Sequence, residues 1–180
     1  MRVLIVKRDK LGDLLLTTSV LDRLRQALPD AQIHLLANDY NAWVAAGHPA
    51  LVRTWAYPRV RDGGRLRPLA AFAWLPILRQ LRRQRFDAAI VMGGDESPRA
   101  IRRAIATGAR RVIAYAANAG PYGPRLTDPL PVPRAGHEVE RMLALLGPLG
   151  VTPGTAIAAP RYLLPPSGAA FARDWLQERG

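Results

Sequence analysis

The chain has 180 residues, a length suited to one domain, or to one domain and part of a second. An apolar fraction of 49% excludes a disordered chain, and the absence of cysteine excludes disulfides and thiolate metal sites. The formal charge of +12 rests on 26 basic residues, of which only Lys7 and Lys10 are lysine. It fits either a GC-rich coding bias or an anionic partner, whether nucleic acid, an acidic membrane surface, or a phosphorylated or carboxylated substrate.

Val3–Val6 is an apolar run too short for a signal peptide and reads as a buried strand. A charged turn, Arg8-Asp-Lys-Leu-Gly-Asp13, follows, and Leu14–Leu28 is apolar-periodic up to Pro29, which predicts a helix. Further strands are predicted at Ile33–Ala37, Val52–Ala56, Ala88–Met92 and Val112–Tyr115. Helices are predicted between them at Tyr40–Ala46, Leu69–Gln84 and Pro98–Thr107. Apolar strands alternating with helices give an α/β fold, a Rossmann-like parallel sheet with helices on both faces.

In the helix at 69–84, the spacing of Leu69, Phe72, Leu75, Leu78 and Leu81 predicts a sheet-facing stripe, with Pro76 as a kink or interruption. Arg79, Arg82, Arg83 and Arg85 follow. They are either a solvated basic end or an attachment to an anionic inner leaflet, where each would contribute about 1 kcal/mol. The longest apolar stretch, Pro68 to Leu78, is well short of the roughly 20 residues of a membrane span. Residues 116–136, rich in Gly and Pro, are expected to form a long irregular loop. His137–Leu149 returns to helical spacing. Thr152-Pro-Gly-Thr155 reads as a linker and Pro160–Pro166 as an extended crossing, and Ser167 is expected to cap a last helix. The expected division is residues 1–154 as the first domain and 155–180 as linker and first helix of another, so that the chain reads as an amino-terminal half.

In the first βα unit the carboxyl end of the strand and the amino end of the helix face one crevice, where open α/β sheets bind ligands. The loop has a single glycine, Gly12, and lacks both the three-glycine dinucleotide spacing and a P-loop. It presents Lys7, Arg8, Asp9, Lys10 and Asp13 instead. Asp13 is either a helix-starting acid, favoured by the dipole by about 0.3–1 kcal/mol, or a proton acceptor aimed into the crevice. Arg59, Arg61, Arg65 and Arg67 on the Pro58–Pro68 loop suggest either solvated surface or a phosphate-reading flap, and Arg125 is a candidate of the same kind. Aromatic residues do not interleave with the arginines and no recognition helix stands out, which disfavours nucleic acid.

Taken as a run, MRVLIVKRDKLGDLLLTTSVLDRLRQAL resembles the opening of the heptosyltransferases of glycosyltransferase family 9, which build the inner core of bacterial lipopolysaccharide. The resemblance continues through His48-Pro49, Phe86-Asp87-Ala-Ala-Ile-Val91 and His137-Glu-Val-Glu-Arg141. Ser19 departs from the family's proline, and Met92-Gly-Gly-Asp95 replaces its D-x-Q-G. The resemblance implies a two-domain GT-B enzyme, inverting and metal-independent, without a cofactor, that transfers heptose from ADP-heptose to the inner core. This chain would be its acceptor-binding half, inactive alone, with the nucleotide-sugar donor bound mainly by the other half. Asp13 matches the family's base, and Lys7 and His137 match residues of the acceptor cleft. Arg8, Lys10, Gly12 and the loop arginines would complete the acceptor site. The implied partner is an anionic, Kdo-lipid A type precursor, met in the cytoplasm with peripheral contact at the inner membrane. Another family 9 sugar transferase, or a non-catalytic nucleic-acid-, lipid- or saccharide-binding domain, is the alternative.

Overall fold

A computed structural model describes residues 1–8, 10–59, 61–62, 65–66, 69–93, 98–117, 119–154 and 158–179. Asp9, Arg67 and Asp95 lie outside the described residues, as do the side chains of Arg61 and Arg65. In chain order the elements are β1 (Arg2–Val6), α1 (Leu11–Ala27), β2 (Gln32–Asn38), β3 (Leu51–Tyr57), β4 (Arg61–Asp62), β5 (Arg65–Leu66), α2 (Leu69–Gln84) and β6 (Ala88–Val91). They continue with α3 (Pro98–Ala106), β7 (Arg111–Tyr115), β8 (Asp128–Leu130), α4 (Glu138–Ala144) and α5 (Pro166–Arg179).

Six strands form one parallel sheet in the order β3-β2-β1-β6-β7-β8. The central strands are buried along their length because both faces are covered, which is why they read as continuous apolar runs rather than alternating ones. Val3 and Ile5 face a core with Leu14, Leu21 and Leu24 of α1 and Val139 and Met142 of α4. Leu4 and Val6 face the other, with Leu81 of α2 and Ile101 and Ala104 of α3. The chain leaves β1 toward β2 and β3, then returns to place β6 on the other side of β1. The switch point, and hence the crevice outside the carboxyl ends of the strands, therefore lies between β1 and β6.

Several elements differ from the sequence expectations. α1 begins at Leu11 rather than Leu14, so Gly12 and Asp13 are helical residues. In place of a helix over Tyr40–Ala46 there is a short 3-10 turn, Ala42–Ala45, held by the Asn38–Asn41 hydrogen bonds described below. The 116–136 loop contains another 3-10 turn, Gly120–Arg125, and the edge strand β8. β8 is fixed on β7 by a bidentate pair, Arg111 Nε and Nη2 donating to Asp128 Oδ2 at 3.0 Å and Oδ1 at 2.5 Å. The predicted helix from His137 to Leu149 stops at Ala144, followed by a separate 3-10 turn. α5 starts at Pro166, one residue before its expected cap Ser167.

α2 runs through Pro76 as one helix, but its sheet side is not the predicted stripe. Trp74, Ile77 and Leu81 pack on the sheet, whereas Phe72 and Leu75 are exposed. Both stripes have helical spacing, and only contact with Tyr57, whose ring meets that of Trp74 edge-on at 5.8 Å, decides between them.

Candidate functional site

The switch-point crevice is built from the ends of β1 and β2 and the starts of α1 and α4. Strand pairing runs past β1 on both sides: the Lys7 amide donates to Leu36 O at 3.0 Å, and the Met92 amide to Val6 O at 2.9 Å. The β1–α1 loop is anchored from β2, where buried Asn38 donates from Nδ2 to Arg8 O at 2.7 Å. Asn38 Oδ1 in turn accepts the amides of Tyr40 and Asn41 at 3.0 and 3.2 Å, and Asn41 Oδ1 accepts the Asn38 amide at 3.1 Å. This asparagine pair ties the β1–α1 loop to the turn that follows β2. The sequence reading missed it; the available signal was Asn-Asp-Tyr-Asn directly after an apolar run, a turn composition whose side chains bond backbone locally.

Asp13 lies in the first turn of α1, half-buried. Its Oδ2 accepts the Lys10 amide at 3.2 Å, closing the start of the helix. Its Oδ1 has no hydrogen-bond partner among the described residues. The carboxylate thus caps the helix through one oxygen. Gly12 beside it is exposed, has no unusual φ, and would meet no heavy atom within 4 Å if it carried a Cβ. Nothing among the described residues of the chain requires a glycine there, whereas close approach of a bound molecule to the helix start would. Lys10 is exposed and Arg8 half-buried beside it.

Lys7, 1% exposed, places Nζ 3.9 Å from Glu138 Oε1 at the start of α4. The other Glu138 oxygen lies 3.7 Å from Arg141 Nη1, and Tyr115 of β7 donates its hydroxyl to Arg141 O. These contacts bring the start of α4 to the end of β1, and with it His137. His137 caps α4: Nδ1 accepts the Val139 amide at 3.2 Å, while the His137 amide donates to Glu140 Oε2 at 2.9 Å. Because Nδ1 accepts, a neutral His137 carries its proton on Nε2, on an exposed ring.

The loop arginines separate. Arg59 stands after β3 with its guanidinium 4.4 Å from the Tyr40 ring centre and Nε 3.4 Å from Asp39 Oδ1, so it is at the carboxyl end but engaged with the β2 turn. Arg61 and Arg65 lie on the two strands of an antiparallel hairpin. Arg125 is not brought to the crevice. It ends the 3-10 turn two residues before Thr127, whose amide donates to Val112 O near the start of β7, so it sits toward the amino side of the sheet.

The sequence reading also missed Arg103. On α3, its guanidinium lies over the rings of Tyr57, at 4.1 Å, and Trp74, at 5.7 Å. Burial there lowers its pKa, opposed by Tyr57 and reinforced by the like charges of Arg8, Arg102 and Arg99. A shallow polar hollow lined by Arg2, Asp30, Gln32, Arg85 and Asp87 lies at the opposite, amino edge of the sheet and is unrelated to the crevice. No group of three or more His, Cys, Asp or Glu side chains able to hold a metal occurs among the described residues.

The fold and crevice define an α/β domain of Rossmann type with a polar, mixed-charge crevice at its switch point. No family model matches the sequence, and no curated protein matches it. Solved structures do. The glycosyl transferase of family 9 from Veillonella parvula superposes with a TM-score of 0.82 at 18% identity, over 99% of this chain and 50% of that one. The E. coli heptosyltransferase WaaC, solved with ADP-2-deoxy-2-fluoro heptose, gives 0.71 at 21% identity over 87% of this chain and 50% of its own. The E. coli ADP-heptose lps heptosyltransferase II gives 0.70 at 16% over 98% and 50%. The chain has the fold of these proteins and spans about half their length.

Proposed function

We propose that this chain is the acceptor-binding half of a glycosyltransferase of the heptosyltransferase type, acting on an anionic, lipid-linked saccharide with an ADP-activated heptose as donor. The reading rests on Asp13: an aspartate in the first turn of the helix that follows β1, with one oxygen held by a backbone amide at 3.2 Å and the other without a hydrogen-bond partner among the described residues. Supporting it are the shared fold and the cations Lys7, Arg8 and Lys10 around the same loop.

In this reading the acceptor hydroxyl lies against Asp13 Oδ1. As its oxygen forms a bond to the anomeric carbon, its proton passes to the carboxylate. The bond from that carbon to the nucleoside diphosphate breaks, with the electron pair leaving on the diphosphate. Attack opposite the leaving group inverts the anomeric configuration and needs no covalent sugar–enzyme intermediate. General base assistance of this kind contributes typically 10²–10⁴-fold. The exposed Lys10 and His137 edge would orient acid groups of the acceptor, while buried Lys7 holds Glu138 and with it the start of α4; the donor would be held mainly by residues outside these 180. The protein is expected to work at the cytoplasmic face of the inner membrane, where such an acceptor is anchored.

The test is sugar transfer from ADP-heptose to a deacylated, phosphorylated Kdo disaccharide acceptor by the protein at its full genomic length. The 180-residue chain should bind that acceptor without turning it over, and the binding should weaken steeply with salt, since exposed charges are screened within about 10 Å at 0.1 M. Salt-independent binding, or turnover by the 180 residues alone, would contradict this division of labour.

A further inference from the structure

The two faces of the sheet differ sharply in charge. On one, α1 and α4 carry Asp13, Asp22, Glu138 and Glu140 among Arg23, Arg25 and Arg141. On the other, α2 and the turn after it carry Arg79, Arg82, Arg83 and Arg85, and α3 adds the exposed Arg99 and Arg102, with no acidic residue in either helix. The described carboxylate at that edge, Asp87, is already engaged: it accepts the Arg2 amide at 2.8 Å and lies 3.6 Å from Arg110. The excess positive charge is therefore gathered on one side.

That side also exposes apolar groups. Phe72 is 69% and Leu75 48% exposed on α2. Phe72, Pro76, Arg79 and Arg83 recur at intervals of three or four along one outward stripe about 16 Å long. α2 enters from the carboxyl end of β3, where Trp74 meets Tyr57, so the apolar end of the stripe lies toward the rim of the crevice and the basic end points away from it. No described helix is long and apolar enough to cross a membrane.

We infer that the outward face of α2, continued by α3, docks on an anionic phospholipid bilayer, with Phe72 and Leu75 inserted and the arginines against the headgroups. The arrangement is that of an interfacial helix, apolar tip and basic flank. It would hold the crevice mouth at the bilayer surface, which rests on the reading of the crevice as the site of a lipid-linked acceptor. Nucleic acid fits the face less well: Trp74 is taken up by Tyr57 and Arg103, and the surface is a convex helix rather than a basic groove with stacking aromatics.

The experiment is flotation of the 180-residue chain with vesicles of phosphatidylcholine alone or mixed with phosphatidylglycerol. Three double variants are compared with the parent: Arg79→Glu with Arg83→Glu, Phe72→Ser with Leu75→Ser, and, as a control of equal charge elsewhere, Arg134→Glu with Arg173→Glu. The chain should bind the anionic vesicles. The α2 arginine pair should cost about thirtyfold or more and the apolar pair roughly tenfold, with the control near the parent. All six replaced side chains, four arginines with Phe72 and Leu75, are exposed, and circular dichroism checks that each variant is folded. Absence of binding to anionic vesicles overturns the inference, as does an equal loss in the control, which would mean that net charge alone acts. Retained binding in the apolar pair, together with tighter association with single-stranded RNA through the same arginines, also overturns it, in favour of nucleic acid. Transfer to the water-soluble deacylated acceptor by the full-length protein does not need this face. Its failure would therefore strike the transferase reading and leave the docking result standing.

Discussion

Replacing Gly12 by alanine separates what the helix start needs from what a bound molecule needs. Gly12 is the second residue of α1, with ordinary backbone geometry and no heavy atom within 4 Å of an added Cβ. Alanine should therefore enter without strain. The propensity difference in a helix interior is about 0.8–1.0 kcal/mol, and in a first turn about half of that applies, so stability should rise by about 0.5 kcal/mol. For a chain of this size that is a gain of roughly 1–2 °C in melting temperature. On the proposed reading the same methyl group would meet an acceptor seated beside Asp13. Intruding on a fitted contact costs about 1–3 kcal/mol, so kcat/KM for the acceptor in the full-length protein should fall roughly five- to a hundredfold. The assays are a thermal melt and steady-state kinetics with the deacylated acceptor. A higher melting point with unchanged kcat/KM would refute the idea that ligand approach is what keeps position 12 small. A lower melting point would refute the placement of Gly12 in an open helix start.

Three further outcomes follow from the packing. His34 and His48 both have lowered pKa values, chiefly through burial; Arg2 and Arg53 add to the effect at His34, and at His48 Asp22 opposes it while Arg161 adds to it. The unfolded chain thus binds more protons just below the ordinary histidine value of about 6.5, and stability present above that pH should be lost as it falls; the melting temperature should be lower at pH 5.5 than at 7.5, and His34→Gln should flatten the difference. An equal melting temperature at both pH values would count against it. Asp128→Asn should weaken the β8 anchor by about 1 kcal/mol, discounted because Arg111 is 40% exposed. Hydrogen bonding to Arg111 lowers the Asp128 pKa, so this stabilisation is present above the ordinary carboxylate range and lost as pH falls through the folded value; hydrogen exchange at the Ala116 amide, which donates to Leu130 O, reports it. Ser19 is buried with its hydroxyl unpartnered among the described residues, so Ser19→Ala should raise stability by about 1 kcal/mol in a denaturant titration; a loss would show that the hydroxyl is satisfied.

The sheet was readable where burial on both faces wrote apolar runs into the sequence, as in β1, β2, β6 and β7. β8 was not, because Asp128-Pro129-Leu130 has no apolar pattern and is held by a side-chain pair from β7, a long-range fact. The sheet side of α2 was misread because two apolar stripes share the helical period, and tertiary contact with Tyr57 chooses the less obvious one. At the candidate site, Asp13 was singled out by the strand-loop-helix rule and by resemblance, and Lys7 and His137 by resemblance. Asn38 and Arg103 escaped because their roles depend on neighbours 30 or more residues away, Arg8 for the one and Tyr57 for the other. Arg125 was grouped with the crevice only because the loop holding it was taken as irregular; the register of β8 carries it toward the other edge.

The central claim is that Asp13 takes the proton of the acceptor hydroxyl, and Asp13→Asn in the full-length protein tests it most directly. Asparagine keeps an oxygen for the Lys10 amide at 3.2 Å, so the helix start should survive with at most about 1 kcal/mol lost with the charge. The proton acceptor is gone, so kcat should fall by about 10²–10⁴-fold while acceptor affinity changes little. A folded Asp13→Asn protein with near-normal kcat and a slightly lowered melting temperature would show that Asp13 is a helix cap and nothing more.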